Sequence, residues 1–596
     1  MYKTALIRNF SIIAHIDHGK TTLTDSFLKI TGAVTDFQFH DRMMDSNPIE
    51  QEKGVTIKLA PVRMNYQYQG QNYTLNLIDT PGHVDFGYEV SRSLAACEGA
   101  LLLVDATQGI QAQTLANYHK AIDLGLKIIP VVNKIDLPSA DLEQTILEMM
   151  ELLNINEEQI IKVSAKTGLG VQELIETIIE KIPPPSGDLD KPLRALVVTS
   201  KFDNHQGAIA YVRIVDGALQ KEPLYLLSSQ SAFQPIEIGV FTPNRTIWPE
   251  LKAGEVGYVS TGLKDIKHLR VGDTLTLTRN RDQVVALPGF KEPQPMVFME
   301  LYPVDSNDFA ELQDAMSKLS LHDAALQYSN THSTALGNGL RVGFLGIFHA
   351  EVIRERLTRE FDLNLIATAP SVSYQITTSD GAEETINNPS EMPDPSQVKE
   401  IREPLAKTVI FTPERYQSGI LKLVQEKRGG FVNSVNTGLR VQLEYEIPLA
   451  ELITDFHDKL KSVTSGFASM EYSISGYQII DAVKVGILIN GELIEALSFI
   501  APLSQAESKG RSLVAKLKEV VPRQLFEIPI QAAIGGKIIA RETLRAYRKD
   551  VTAKLYGGDR TRRMKLLAKQ AKGKKKMKKI GKVELNQESF LAVLKS

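Results

Sequence analysis

The stretch AHIDHGKT, residues 14–21, constrains this chain more than any other. It joins an apolar run, NFSIIA, to a helix-like run, TTLTDSFLKIT. A strand that ends in such a loop and restarts as a helix turns backbone N–H groups inward and aims the positive end of the helix at an anion. The pattern is that of a phosphate loop, with Ala14 standing where its first glycine belongs. Lys20 offers a point charge to the β and γ phosphates, and Thr21 offers a hydroxyl to Mg²⁺. Asp17, His18, Gly19 and Thr22 complete the expected cradle.

The motifs that follow narrow the ligand. DTPGHVDF (79–86) sets Asp79 at a strand end, where a carboxylate serves a metal ion through water, and Gly82 where a backbone N–H can approach the γ-phosphate. Thr56, in EKGVTI, lies on a long polar segment after the first helix; its hydroxyl can ligate Mg²⁺ only when the γ-phosphate is present. NKID supplies Asn133, Lys134, Ile135 and Asp136 after an apolar strand. Asp136 can accept from both N1–H and N2–H₂ of guanine, whereas adenine would leave it unpaired. Sites built on such pairing reject the wrong partner by about 10⁴–10⁵. Ser164, Ala165 and Lys166 again follow a strand and can bring a backbone N–H near the guanine O6. An N-K-x-D alone is weak. In this order, on these loops, the series predicts a site for GTP and GDP with Mg²⁺, Lys20 being one of its catalytic groups.

Residues 8–181 alternate strand-like runs (LNLID, ALLLVDA, IIPVVN, IIKVSA) with helix-like ones, the pattern of an α/β domain with a mainly parallel sheet. PPPSG closes it, giving a P-loop GTPase domain over 1–187. Short β runs predict a β-barrel over 188–290. Two ferredoxin-like split β-α-β domains are expected over 291–376 and 402–485, with a polar, mobile loop over 377–401 between them. A mixed α/β RNA-contacting domain over 486–560 and a basic tail over 561–596 complete a multidomain α/β and α+β chain.

Composition excludes other classes. The single cysteine, Cys97, leaves no disulfide framework and fits a reducing cytoplasm. No run approaches the roughly 18 apolar residues of a membrane span. A phosphate loop beginning at residue 14 leaves no room for a cleavable targeting peptide. The net charge of −3 conceals an asymmetry: residues 535–582 hold 18 Lys and Arg against Glu542, Asp550 and Asp559. An acidic body with a basic end points to a polyanion met at that end. Arg541, Arg545, Arg548, Lys549, Lys554, Arg560, Arg562 and Arg563 are candidates for RNA phosphates, with Tyr547 and Tyr556 for stacking on unpaired bases. We expect a one-sided basic helix there.

AHIDHGKTTLTD, EKGVTI and DTPGHVDF resemble the translational GTPases of the group containing elongation factor G, rather than the small signalling GTPases. The barrel, the two split domains and REPLAKTVIFTPERYQSGILKLVQEKRG are similar to that factor's second, third and fifth domains. Two departures stand out. Only the short stretch near 377–401 lies where elongation factor G has its tRNA-mimicking domain, and the chain ends in RQLFEIPIQAAIGGKIIARETLRAYRKDVTAKLYGGDRTRRMKLLAKQ. That combination resembles one branch of the family over essentially the whole chain.

The resemblance implies a ribosome-stimulated GTP phosphohydrolase, a monomeric translation factor acting on the 70S ribosome with its rRNA and tRNA; a bacterial cytoplasm is the expected setting, and an organelle protein stripped of its transit peptide would look similar. Its implied work is to remodel tRNA positions, with one-codon back-translocation under stress as the activity. Where other GTPases carry a glutamine that orients water, this chain carries His83, which by resemblance orients the attacking water once the ribosome positions it. By resemblance too, Ile16 and Val55 form an apolar gate holding that histidine back in the free protein, and Asp17 helps bind a monovalent cation. The resemblance also allows peripheral contact with an anionic membrane. A GTP-gated RNA-binding factor for ribosome assembly or initiation would use the same nucleotide site. A membrane signalling GTPase would leave the domain series unexplained.

Overall fold

The computed structural model describes residues 4–547, apart from 36, 38, 40, 41, 44–47, 54, 55, 57, 58, 82, 83, 204, 264–268, 290–293, 321, 322, 324, 334, 335, 438 and 439, together with 561 and 564–571. The N-terminal domain holds a six-stranded sheet of β1 (Ile7–Ala14), β2 (Ala60–Tyr68), β3 (Gln71–Asp79), β4 (Gly99–Asp105), β5 (Lys127–Asn133) and β6 (Ile161–Lys162), in the order β2-β3-β1-β4-β5-β6. Strands β3, β1, β4, β5 and β6 run parallel, and β2 is an antiparallel edge strand. The central strands read as continuous apolar runs because helices cover both faces; β1 and β4 are buried along their whole length.

Among the described residues the domain's helices are α1 (Lys20–Ile30), α2 (Pro48–Lys53), α3 (Gly87–Ala95), α4 (Ala112–Asp123), α5 (Leu142–Leu153) and α6 (Val171–Lys181). Leu23 and Phe27 of α1 share one face's core with Leu174 and Ile178 of α6. Val90, Ala121 and Met149 of α3, α4 and α5 pack the other.

An eight-stranded antiparallel sheet over 194–277 closes one face on Val197, Val212, Leu224, Val240 and Leu275. It is fastened to the first domain by Arg213, whose Nη1 donates to the Ala96 carbonyl at 2.7 Å while Nη2 lies 2.8 Å from Glu98. The first split domain orders its strands Gln327–Ser333, Gly337–Phe344, Val297–Pro303 and Leu365–Ala367, with α7 (Phe309–Ser320) and α8 (Ile347–Phe361) packed against them. The second repeats this order with Gly430–Thr437, Arg440–Pro448, Val398–Pro413 and Ser469–Ile479. It docks on the first domain at α4, where the Ser469 hydroxyl accepts from the Ala112 N–H at 2.8 Å and Arg440 Nη1 donates to the Ile110 carbonyl at 2.8 Å.

The structure corrects the expected organisation in three places. The 377–401 stretch is not all loop: Glu383–Ile386 pairs with Tyr374–Thr378, which pairs in turn with the start of Val398–Pro413. Tyr374, Ile376 and Ile386 are buried, giving the hairpin one apolar face. The hairpin therefore belongs to the second split domain's sheet, which crosses the boundary expected at 376. At the other end, Ala482–Ile489 pairs with Ile528–Ile534, so the C-terminal domain begins before 486. Finally, Arg541 lies on a strand, Lys537–Leu544, rather than on a basic helix. The turn Gly535-Gly536, with φ of 52° and 86°, folds that strand back on Ile528–Ile534.

Candidate nucleotide site

β1 ends at Ala14 and α1 begins at Lys20; between them Asp17 and Gly19 adopt left-handed backbone, with φ of 64° and 94°. A Cβ on Gly19 would fall 2.4 Å from Asn133 Nδ2, so this position admits only glycine. The closeness has a purpose. Asn133 Nδ2 donates to the His18 carbonyl at 2.9 Å, and Asn133 Oδ1 accepts from the Ala165 N–H at 2.9 Å. One amide thus ties together the phosphate loop, the NKID loop and the SAK loop. Lys134 Nζ adds a second tie, donating to the Asp17 carbonyl at 2.6 Å and lying 2.7 Å from Asp105 Oδ2.

Ser164 and Ala165 are buried within their turn, and the Ser164 hydroxyl accepts from the Thr167 N–H at 3.2 Å. Ile135 is half-buried, while Asp136 and Lys166 are exposed at the rim. Scaffold residues are inside and the expected base-reading carboxylate faces outward.

A cavity of about 180 Å³ opens beside the loop, lined in part by Ile16, Asp17, Lys20, Thr21, Thr22 and Thr56. Thr56, from the segment between α1 and β2, is 5% exposed and lines this cavity with the loop. Behind it Lys20 Nζ sits 3.2 Å from Asp79 Oδ1, both side chains buried. Beyond this ion pair, Lys20 Nζ and both Asp79 oxygens make no hydrogen bond among the described residues. Buried charges are stable only when paired or coordinated, so this donor set fits a phosphate and a hard, oxygen-binding cation. Among the described residues there is no cluster of three or more His, Cys, Asp or Glu that could hold a metal unaided.

His18 differs from expectation. Its imidazole is fully buried, with Nδ1 3.3 Å from the Asp105 N–H, and does not line the cavity. Burial, and then His15, push its pKa down to about 3, so it is a neutral part of the floor. What His18 brings to the loop is backbone. Arg42, which sequence reasoning missed, lines the same cavity and has its backbone N–H held by Asp25 at 2.8 Å. Nothing in the surrounding HDRMMD marks it.

Gly82, His83 and Val55 lie outside the described residues, as do Arg548, Lys549, Lys554, Tyr556, Arg560, Arg562 and Arg563. Arg541, Arg545 and Tyr547 line one groove of the C-terminal domain with Lys518 and Arg523, and all three are exposed there.

Comparison with known proteins agrees with this architecture. Residues 5–184 match the family model described as elongation factor Tu GTP binding domain, and residues 400–488 that of the elongation factor G C-terminus. A phosphate loop, a guanine-type base loop and this domain series define a translational GTPase, which binds guanine nucleotide and hydrolyses GTP. Residues 489–595 match the model described as GTP-binding protein LepA C-terminus. Elongation factor 4 of Thermus thermophilus is 52% identical over 99% of this chain and 97% of its own length. That of Desulfitobacterium hafniense is 50% identical over 99% and 98%. The chain belongs to the elongation factor 4, or LepA, family, the branch signalled by the missing tRNA-mimicking domain and the C-terminal stretch. A crystal structure of a Thermus thermophilus protein, 18% identical, shares the fold with a TM-score of 0.57 over 80% of this chain and 97% of its own.

Proposed function

We propose that this protein is a GTPase stimulated by the 70S ribosome, which uses the hydrolysis cycle to remodel tRNA positions, with one-codon back-translocation under stress as its particular work. The observation that carries the reading is Thr56, buried in the same cavity as Lys20 and Thr21 and close to the Lys20–Asp79 pair. A segment that folds onto the phosphate site can order with triphosphate and loosen with diphosphate, which makes domain contacts depend on nucleotide.

Thr21 and Thr56 would hold Mg²⁺, with Asp79 acting through water; a bound ion would supply positive charge to offset that of the phosphates. Lys20 and the loop N–H groups stabilise the same developing charge. Asp17 helps bind a monovalent cation. His83 orients the attacking water, gated by Ile16 and Val55, and Asp136 reads guanine. Arg541, Arg545 and Tyr547, with the basic residues beyond them, meet rRNA or tRNA in the cytoplasm. No helix among the described residues is long and apolar enough to cross a bilayer.

The test is GTP hydrolysis by the intact protein and by His83→Ala, with and without purified 70S ribosomes. Strong stimulation that falls roughly a hundredfold in the variant while GTP binding survives supports the reading. Stimulation by subunit precursors but not by mature ribosomes would replace it with the assembly-factor alternative.

A further inference from the structure

Asp85 lies two residues beyond His83, on the short turn Val84–Phe86 that leads into α3, and its side chain leaves the N-terminal domain. The carboxylate seats on the first turn of α8 in the first split domain, where Oδ2 accepts from the His349 N–H at 3.0 Å. The fit is close. A Cβ on Gly346, the residue before α8, would fall 2.2 Å from Asp85 Oδ1. A carboxylate at a helix N-terminus satisfies a free N–H and meets the positive end of the helix. From a third domain, Tyr472 on strand Ser469–Ile479 hydrogen-bonds the same carboxylate.

The seat is itself rigid. His349 is buried; its Nε2 lies 2.9 Å from Asp323 Oδ2, and its Nδ1 accepts from the Leu345 N–H at 3.1 Å. Phe86 packs its ring against both Phe348 and His349, with centroids 6.1 and 5.9 Å apart. Two peptide units span at most about 7 Å, so wherever α8 and Tyr472 hold Asp85, the reach of residue 83 is set.

We infer that Asp85 is the positioning residue through which the two split domains govern the work of His83. The inference rests on the proposed role of His83. Asp85 does not line the nucleotide cavity; it carries the placement of two domains to the loop that bears His83. A ribosome that grips the split domains then acts on hydrolysis through one carboxylate. Catalytic geometry is sensitive to displacements of about 1 Å, which makes a single anchored side chain an effective coupling point.

The experiment compares ribosome-stimulated hydrolysis by full-length Asp85→Ala, Gly346→Ala, their double variant, Tyr472→Phe and His83→Ala. Gly346→Ala expels the carboxylate without altering the N-terminal domain, and Tyr472→Phe removes one hydroxyl while keeping the packing. Expected is a fall in kcat of about tenfold or more for Asp85→Ala and for Gly346→Ala. The half-saturating ribosome concentration and the GTP affinity should each stay within about twofold. The double variant should be no worse than either single one, because both break one contact. Tyr472→Phe should show the same split with a smaller loss and an unchanged melting profile. Unchanged kcat in Asp85→Ala, a loss confined to ribosome affinity, additive losses or faster hydrolysis would overturn the inference. If His83→Ala collapses stimulation while Asp85→Ala does not, the coupling alone fails. If His83→Ala retains stimulation, both readings fall.

Discussion

Gly19 and Asn133 touch across the nucleotide site so closely that a Cβ on Gly19 would overlap the Asn133 amide nitrogen. The contact lets one amide bind the His18 carbonyl and the Ala165 N–H together. Gly19→Ala both forces a left-handed φ on alanine and breaks this tie. Nucleotide affinity should fall at least about tenfold, an energy of about 1.4 kcal/mol. Titration with a fluorescent GDP analogue measures it.

Asp136 is exposed at the rim, where the carboxylate can pair with two guanine donors. Asp136→Asn replaces one acceptor oxygen by a donor. The variant should lose GTP affinity by about a hundredfold or more, in the direction of the penalties for unpaired polar groups. It should gain affinity for xanthosine triphosphate, whose C2 carbonyl accepts where guanine donates. Competition of the two nucleotides for one fluorescent analogue reads both changes.

Two titratable groups give opposite pH responses. His18, with its pKa pushed down by burial and then by His15 to about 3, binds fewer protons when folded than unfolded between pH 3 and 6.5. Its contribution to stability is complete above 6.5 and is lost as pH falls, on the order of 2 kcal/mol by pH 5. His18→Gln, which cannot become charged, should show a flatter dependence of nucleotide-domain melting on pH below 6.5.

Glu471 runs the other way. It is half-buried against α4, with Lys120 at 3.7 Å and Oε2 without a hydrogen bond among the described residues. Burial raises its pKa to about 7, Lys120 opposing. The folded state therefore holds a proton that the unfolded state has released, and stability falls as pH rises from 4.5 to 7. Glu471→Gln should melt higher than the parent at pH 8, by an amount on the order of 3 kcal/mol at most. The two should converge near pH 4.5, as parallel thermal scans would reveal.

The parts legible from sequence are those with one dominant cause. β1 and β4 are buried on both faces and read as apolar runs, and the nucleotide loops carry residue types fixed by ligand chemistry. β2 escapes a sequence reading because its outer half alternates with polar residues at the sheet edge. The 374–386 hairpin is hidden by the polar stretch after it, although Tyr374 and Ile376 already alternate. Charge alone puts Arg541 on a helix, while the Gly535-Gly536 pair beside it signals a hairpin. Asp85 stands inside a motif notable for its other residues; its partner His349 is 264 positions away, and only tertiary packing unites them.

The RNA contact proposed for the groove of Arg541, Arg545 and Tyr547 can be tested by its salt dependence. Arginines that neutralise phosphates release counterions, so each removed contact should flatten the dependence of log affinity on log salt by about 0.7–0.9. Arg541→Ala and Arg545→Ala should therefore weaken ribosome binding most at low salt and converge with the parent at high salt. Tyr547 is 61% exposed and its backbone N–H is bonded to the Gln524 carbonyl at 2.8 Å. A stacked base contributes about 1–3 kcal/mol with little salt dependence. Tyr547→Ala should thus lower affinity by a constant factor across the salt series. Co-sedimentation with 70S ribosomes at stepped potassium concentrations tests all three. Parallel salt slopes for the arginine variants would remove them from the RNA interface, and an unchanged intercept for Tyr547→Ala would remove the ring.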